Sequence, residues 1–189
     1  MTAEVLPLQP ADLVVVRTDG IAARIIRFGE RLQGKPDLHN HVAMLHHITI
    51  EGAAWFLEGR PGGLGWHIET IGDPRGYLSS RFTVSNSAQP KTPEQRAGVV
   101  ADMVELIGRP YDWEAIEGDA ASALHMPELW PQWHGQMPGH VVCSSSVAWA
   151  YEKQGLLAPK AGGGRFVEPA DWDVLLTAQN WAQPLAPAA

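Results

Sequence analysis

Between residues 41 and 84 the chain runs through four apolar segments separated only by short turns, with helical patterns before and after them. His41 to Ile50 alternates as a strand, with Val42, Met44, Ile48 and Ile50 on one face and His41, Ala43, Leu45 and His47 on the other. Ala53 to Glu58 and Gly65 to Ile71 read as two more strands, joined by a turn through Arg60-Pro61-Gly62-Gly63. A fourth strand is expected within Leu78 to Val84. Helical patterns, then a run of strands, then helical patterns again describe the order of elements. The fold class is therefore α+β, not a parallel βαβ layout.

The flanking segments fit one domain spanning residues 1–189, large enough to bury a real core. Leu13 to Arg17 is a short strand after the turn-like Gln9-Pro10-Ala11-Asp12. Thr18-Asp19-Gly20 opens a helix in which Ile21, Ile25, Ile26 and Leu32 recur near 3.6-residue spacing. Thr92-Pro93-Glu94-Gln95 starts a second helix: Thr92 caps, Pro93 suits the first position and Gln95 completes a capping box. Val99, Val100, Met103, Val104 and Ile107 form its apolar stripe, and Gly108 ends it. A third helix begins at Cys143 and stops at Gly155, and a short fourth one starts near Pro169-Ala170-Asp171. The Pro/Ala tail, from about residue 183, is expected to fray.

Composition narrows the partners. A net charge of −7 and a pI near 5.5 offer no basic field for nucleic acid. No apolar run approaches membrane-spanning length. A single cysteine cannot form an internal disulfide, so nothing demands an oxidising compartment. The residues through Pro10 lack a basic segment followed by an apolar one, so a cytoplasmic location is the expectation. Carriage by a phage, or delivery to the cell wall by a partner or lysis, stays open.

That single cysteine, Cys143, opens the run Val141-Val142-Cys143-Ser144-Ser145-Ser146-Val147-Ala148-Trp149-Ala150-Tyr151. A thiol on the first turn of a helix feels the positive end of the dipole and free backbone N–H groups, which favour the nucleophilic thiolate. The alternative is a buried cysteine acting as a small hydrophobe. A nucleophile needs a base within hydrogen-bond reach and a group that orients the base. Among eight histidines, His41 in Asn40-His41-Val42-Ala43 stands at the start of a rigid apolar strand. A solvated strand-edge role competes with the catalytic one.

Three segments together resemble the permuted branch of the NlpC-type, papain-like cysteine peptidases, which contains the YiiX-like and lecithin:retinol acyltransferase-like proteins. The first comprises Asp12-Leu13-Val14-Val15-Val16-Arg17, the helix from Ile21 to Leu32, and Asn40-His41-Val42-Ala43. It is similar to the family's opening unit, with Ala11 where the family usually has glycine. The second is Gly108-Arg109-Pro110-Tyr111-Asp112-Trp113. The third is Val142-Cys143-Ser144-Ser145-Ser146-Val147-Ala148-Trp149-Ala150-Tyr151, and Val167-Glu168-Pro169-Ala170-Asp171 resembles a segment that often follows it. The histidine precedes the cysteine, as permutation requires.

The resemblance implies a circularly permuted papain-like fold, its small antiparallel sheet packed against the nucleophile helix. It implies Cys143 as nucleophile, His41 as base and a polar residue on the next strand as orienter. Glu58 is the leading candidate for that role, with His67 or Glu69 competing if the register differs. Tyr111 is expected beside the thiol, as a wall or a hydroxyl donor, or simply in the core. Ser144 follows the nucleophile as a supporting residue. The Cys143 N–H is expected in the oxyanion hole. The implied activity is hydrolysis of an amide bond, commonly in cell-wall peptides, through a thioester. Thioesterase or acyltransferase action on lipid-like acyl groups is the other enzymatic reading. A catalytically silent module of a phage particle or secretion assembly is the third. The partner is then a peptide or acyl substrate, and no cofactor is called for.

Other constellations are weaker. His39, His41, His46 and His47 invite a metal, but no cysteine pair or His-Glu-x-x-His helix accompanies them, so no metal is expected. No Gly-x-Ser-x-Gly elbow surrounds Ser144 to Ser146. The glycines at 62–65 and 162–164 lack a following Lys-Ser/Thr and read as turns. Trp113, Trp130 and Trp133 surround a long loop from Asp112 to His140, where they form either a lid over a groove or the edge of the core.

Overall fold

A computed structural model describes residues 8–80, 82–116, 140–160 and 167–185. Six strands form one antiparallel sheet: β1 (Leu13–Val16), β2 (His41–Ile48), β3 (Ala53–Arg60), β4 (Gly63–Thr70), β5 (Val84–Ser85) and β6 (Gln183–Pro184). Their order is β4-β3-β2-β1-β5-β6. Among the described residues, helices α1 (Ile21–Leu32), α2 (Pro93–Glu105), α3 (Cys143–Lys153) and α4 (Pro169–Ala178) accompany them. The chain is α+β, as the strand run requires.

β1 is central because all four of its side chains are apolar and both its faces are covered. Leu13 and Val15 join Val42, Met44 and Leu57 in a core shared with α2, α3 and α4. Val14 and Val16 pack on the other face with Ala43, Leu45, Ala54 and Phe56, under Leu8, Tyr77, Leu78 and Leu185. β1 pairs with β2 from Leu13↔Met44 to Val16↔His41, which fixes where His41 emerges.

Four local expectations are corrected. A bulge between Leu45 and His47 resets the alternation of β2. Ile48, paired with Ala54, therefore leaves the face of Val42 and Met44, and Ile50 lies beyond the strand, fully exposed. Residues 78–84 do not form a continuous strand. Glu69 accepts the N–H groups of Tyr77 (2.6 Å) and Leu78 (2.9 Å), bending the chain into a 3₁₀ turn at Tyr77–Ser79. In α2 the capping box forms as read, but Leu106 is buried where Ile107 was expected. Finally, Gln183 and Pro184 pair with Ser85 and Val84 instead of fraying. An edge strand tolerates the missing N–H of proline. Residues 186–189 lie outside the described residues.

α1 turns a mixed face inward. Ala23 and Glu30 are buried with Ile26 beside them, while Ile25 and Leu32 face solvent. Glu30 is drawn in because its carboxylate accepts the Ala170 N–H at the start of α4 (3.0 Å). Burial holds that carboxyl up at about 8.

Asp12 ties the sheet to α2. Its carboxylate accepts from the Gln9 N–H (2.8 Å), Lys91 Nζ (2.9 Å) and Arg96 Nη1 (2.8 Å), with Asp12 and the Lys91 side chain both buried. Removing one partner of a buried pair strands the other charge. Asp12→Asn is expected to cost about 3 kcal/mol, read as a lowered urea midpoint at unchanged slope. A loss below about 1 kcal/mol would show that Lys91 finds water or another acceptor.

Candidate active site

The start of α3 sits almost on the backbone of β3. A Cβ added to Gly59 would lie 2.9 Å from the Cys143 nitrogen and 3.2 Å from its Cα. Only glycine permits that approach. Gly59 faces the helices, whereas Glu58, its neighbour, faces the opposite side with Phe56. His41 shares the parity of Ala43 and Leu45 and so projects on Glu58's side. A thiol held against the strand backbone at this point meets an imidazole coming round from the other face.

The contacts run in a chain. Glu58 Oε2 lies 2.6 Å from His41 Nε2, both groups buried. The other ring nitrogen, Nδ1, is left for the Cys143 sulfur, and the two groups shift each other's titration. The backbone N–H groups of Val42 and Ser144 lower the Cys143 thiol, and the Cys143 charge, after burial, raises the Tyr111 hydroxyl, so all three bear on that sulfur. Cys143 is the first residue of α3, preceded by an extended Val142, and no side chain caps the helix. Its first-turn amides therefore stay available to an anion.

Tyr111 is brought here by the segment before it. Gly63, at φ +110°, would place a Cβ 2.5 Å from the Arg109 carbonyl oxygen, so only glycine lets residues 108–110 dock on β4. Leu64 N–H then donates to Arg109 O (3.0 Å) and Gly108 N–H to Leu64 O (3.0 Å). Tyr111 next forms a parallel bridge with Val141, two residues before the cysteine.

Charges alternate along the chain of contacts. Burial opposes a charged His41, but the Cys143 thiolate and the Glu58 carboxylate override it and raise His41 to about 10. Burial likewise pushes the Cys143 thiol up. His41's charge and hydrogen bond, then the Val42 and Ser144 amides, bring it below the ordinary thiol value. Glu58 is held down against burial by His41, Arg60 and His67. Both shifts favour a thiolate facing an imidazolium.

Cys143, His41, Glu58 and Tyr111 thus converge. Ser144 does so only through its backbone: its hydroxyl donates to Val167 O, and Trp172 Nε1 donates to its carbonyl (3.2 Å). Neither rival orients His41. Glu69 holds the turn at Tyr77, and His67 lies 3.5 Å from Glu69 with its ring 4.7 Å from that of Tyr77. The clustered histidines are spent separately: His39 on Asp173 and the Phe82 carbonyl, His46 on His47. Among the described residues no group of three or more His, Cys, Asp or Glu is arranged to hold a metal ion. Trp113 lines the groove beside Tyr111, while Trp130, Trp133 and the glycines at 162–164 lie outside the described residues.

Two contributors were missed from the sequence. Arg60 pairs with Glu58, and Tyr77 donates to Glu58 Oε2 (2.9 Å) while accepting from Arg60 Nη2 (2.9 Å). Arg60 had a signal, since it stands two residues from Glu58 on the same strand face. Tyr77 had none, being delivered by the Glu69 turn.

A groove of about 1040 Å³ runs past His41, Gly59, Arg60, Tyr77 and Tyr111, with Ile26 of α1 on its wall. Comparison with models of known protein families and with curated proteins finds no match.

The electrostatics give an expected pH profile for alkylation of Cys143 by iodoacetamide. A depressed thiol titration moves the thiolate to lower pH, so the rate should rise less steeply from about pH 7 to 9 than an ordinary thiol's and fall on acidification. His41→Ala removes the charge that opposes burial, so its rate should rise steadily with pH through 9 instead. Because Cys143 is only 1% exposed, the profile's shape, not the absolute rate, is the readout. A wild-type rate that climbs tenfold per pH unit through this range would contradict the ion pair.

Proposed function

We propose that the chain is a cysteine hydrolase of the permuted papain-like kind, transferring an acyl group to Cys143 and then to water. The observation that carries this reading is the buried sequence Glu58–His41–Cys143, with an uncapped helix start behind the sulfur. A second observation supports the family reading. Ala11 stands where the family usually has glycine, and its φ of +66° is a left-handed conformation that glycine adopts without strain.

The thiolate attacks the carbonyl carbon of an amide and a C–S bond forms. The negative oxygen is received by the Cys143 N–H, with the Tyr111 hydroxyl as a second donor. The His41 imidazolium gives its proton to the departing amine as the C–N bond breaks, leaving a thioester. Neutral His41 then takes a proton from water, which attacks the thioester. The C–S bond breaks, and thiolate and imidazolium return. Glu58 keeps Nε2 protonated and stabilises the imidazolium, and Arg60 and Tyr77 hold Glu58 in place.

The substrate reading is an amide, cell-wall peptides being the class the resemblance suggests. A second reading, acyl esters or thioesters of lipid character, is favoured by the apolar side chains on the groove, among them Ile26, Phe82 and Trp113. Both use the same chemistry. A panel of activated amides and acyl thioesters, read by intact mass, separates them through the adduct left on Cys143. Cys143→Ala is expected to abolish the adduct. Glu58→Gln should slow its formation by roughly 10²-fold or more, since the imidazole loses its oriented tautomer. A Glu58→Gln protein acylated at the wild-type rate would remove Glu58 from the mechanism.

A further inference from the structure

One wall of the groove is made by Pro74, Arg75, Gly76, Tyr77, Ser79 and Ser80. The backbone of this segment bonds mostly to itself. Gly76 N–H donates to Asp73 O (2.9 Å), Ser79 N–H to Gly76 O (3.3 Å) and Ser80 N–H to Tyr77 O (3.2 Å). Among the described residues, one carboxylate ties that backbone to the sheet. Glu69, buried on β4, accepts the Tyr77 N–H at Oε2 (2.6 Å) and the Leu78 N–H at Oε1 (2.9 Å). Gly76 makes room for it, since a Cβ there would lie 2.9 Å from Glu69 Oε2.

The same wall reaches the group that orients His41. Tyr77 Oη donates to Glu58 Oε2 (2.9 Å), the oxygen that also meets His41 Nε2 (2.6 Å). Burial, then the Glu58 charge, keeps the Tyr77 hydroxyl protonated, so it stays a donor. That hydroxyl has one proton to give, and it accepts from Arg60 Nη2 (2.9 Å). With both directions spent, its position is only as good as that of the backbone carrying it. The backbone at residue 77 is the one that Glu69 grips. A shift of the turn therefore passes through the Tyr77 hydroxyl to Glu58 and on to the imidazole.

We propose that Glu69 is a positioning residue for the acyl transfer: through the Tyr77 turn it sets where Glu58 Oε2, and with it the His41 ring, stands. It acts at one remove, its own partners being the two amides of the turn. The turn is also a wall of the groove, so contacts that an acyl donor makes along Pro74 to Ser80 are felt at the base. Binding energy gained there goes into aligning His41, which raises the maximal rate more than it tightens binding. The inference rests on the reading of His41 as base and Cys143 as nucleophile.

The test compares Glu69→Gln, Tyr77→Phe and the double variant in the full chain. Glu69→Gln keeps the side chain's size but puts an NH₂ donor where one acceptor stood. Tyr77→Phe keeps the turn's backbone bonds and removes only the hydroxyl. One readout is the NMR signal of the proton between His41 Nε2 and Glu58, which needs no substrate. The other is acylation of Cys143 by thiophenyl acetate, followed by intact mass over a range of concentrations. Each single substitution should move or broaden the ring-proton signal. Each should also lower the maximal acylation rate about tenfold, with half-saturation changed less than about twofold. The double variant should lose no more than either single one, because both act through one hydroxyl. If thermal unfolding shows Glu69→Gln unfolded, Glu69→Asp, with both acceptors on a shorter stem, should give the same signs. An unmoved ring proton, a loss confined to half-saturation, or losses that multiply in the double variant would overturn the positioning role and leave the hydrolase reading standing. A ring proton that moves in both variants of a protein whose Cys143 is never acylated would keep Glu69's hold on His41 and remove the hydrolase reading instead.

Discussion

The site depends on how closely a helix can approach a strand. At Gly59 there is no Cβ, and the first residue of α3 comes to rest against the β3 backbone. With any side chain there, the helix start would have to move by a good fraction of an ångström, and the sulfur with it. Hydrogen bonds and ion pairs fall off steeply over such displacements. The Val42 and Ser144 amides, the His41 ring and the Tyr111 hydroxyl all reach one sulfur because that single contact is backbone to backbone.

Charge alternation is what makes such a cluster tolerable in a buried place. Beside the Arg60 cation, the shifts of Glu58, His41 and Cys143 favour anion, cation and anion in turn. Each is compensated by its neighbour, so the cost of removing it from water is offset locally. The same arrangement makes the members interdependent. The thiolate holds a proton on His41, His41 holds the proton off Cys143, and Glu58 is kept ionised by both His41 and Arg60.

Much of this was legible in the residues, and the failures have physical reasons. The strand run between His41 and Thr70 followed from period-two alternation, and the α2 start followed from its capping box. Glu58 was expected only through the family resemblance, which calls for a polar residue on the strand after that of His41. Ile48 was assigned to the wrong face because one bulge inverts everything after it, and a bulge leaves no apolar signature. Tyr77 was invisible because it reaches Glu58 through a turn that Glu69 pins from another strand. The outward stripe of α1 was not legible for a different reason. Periodicity reports that apolar residues share a face, and only packing decides which face is inward.

The central claim is that the imidazole and the sulfur share a proton as an ion pair. Heteronuclear NMR titration of the His41 ring in wild type and in Cys143→Ala tests it directly. The expected result is a wild-type imidazole titrating near 10, with a fall of at least about one unit when the thiolate is removed. A ring titrating near the ordinary 6.5 in wild type, or at the same pH in both proteins, would contradict the pairing on which the site is built.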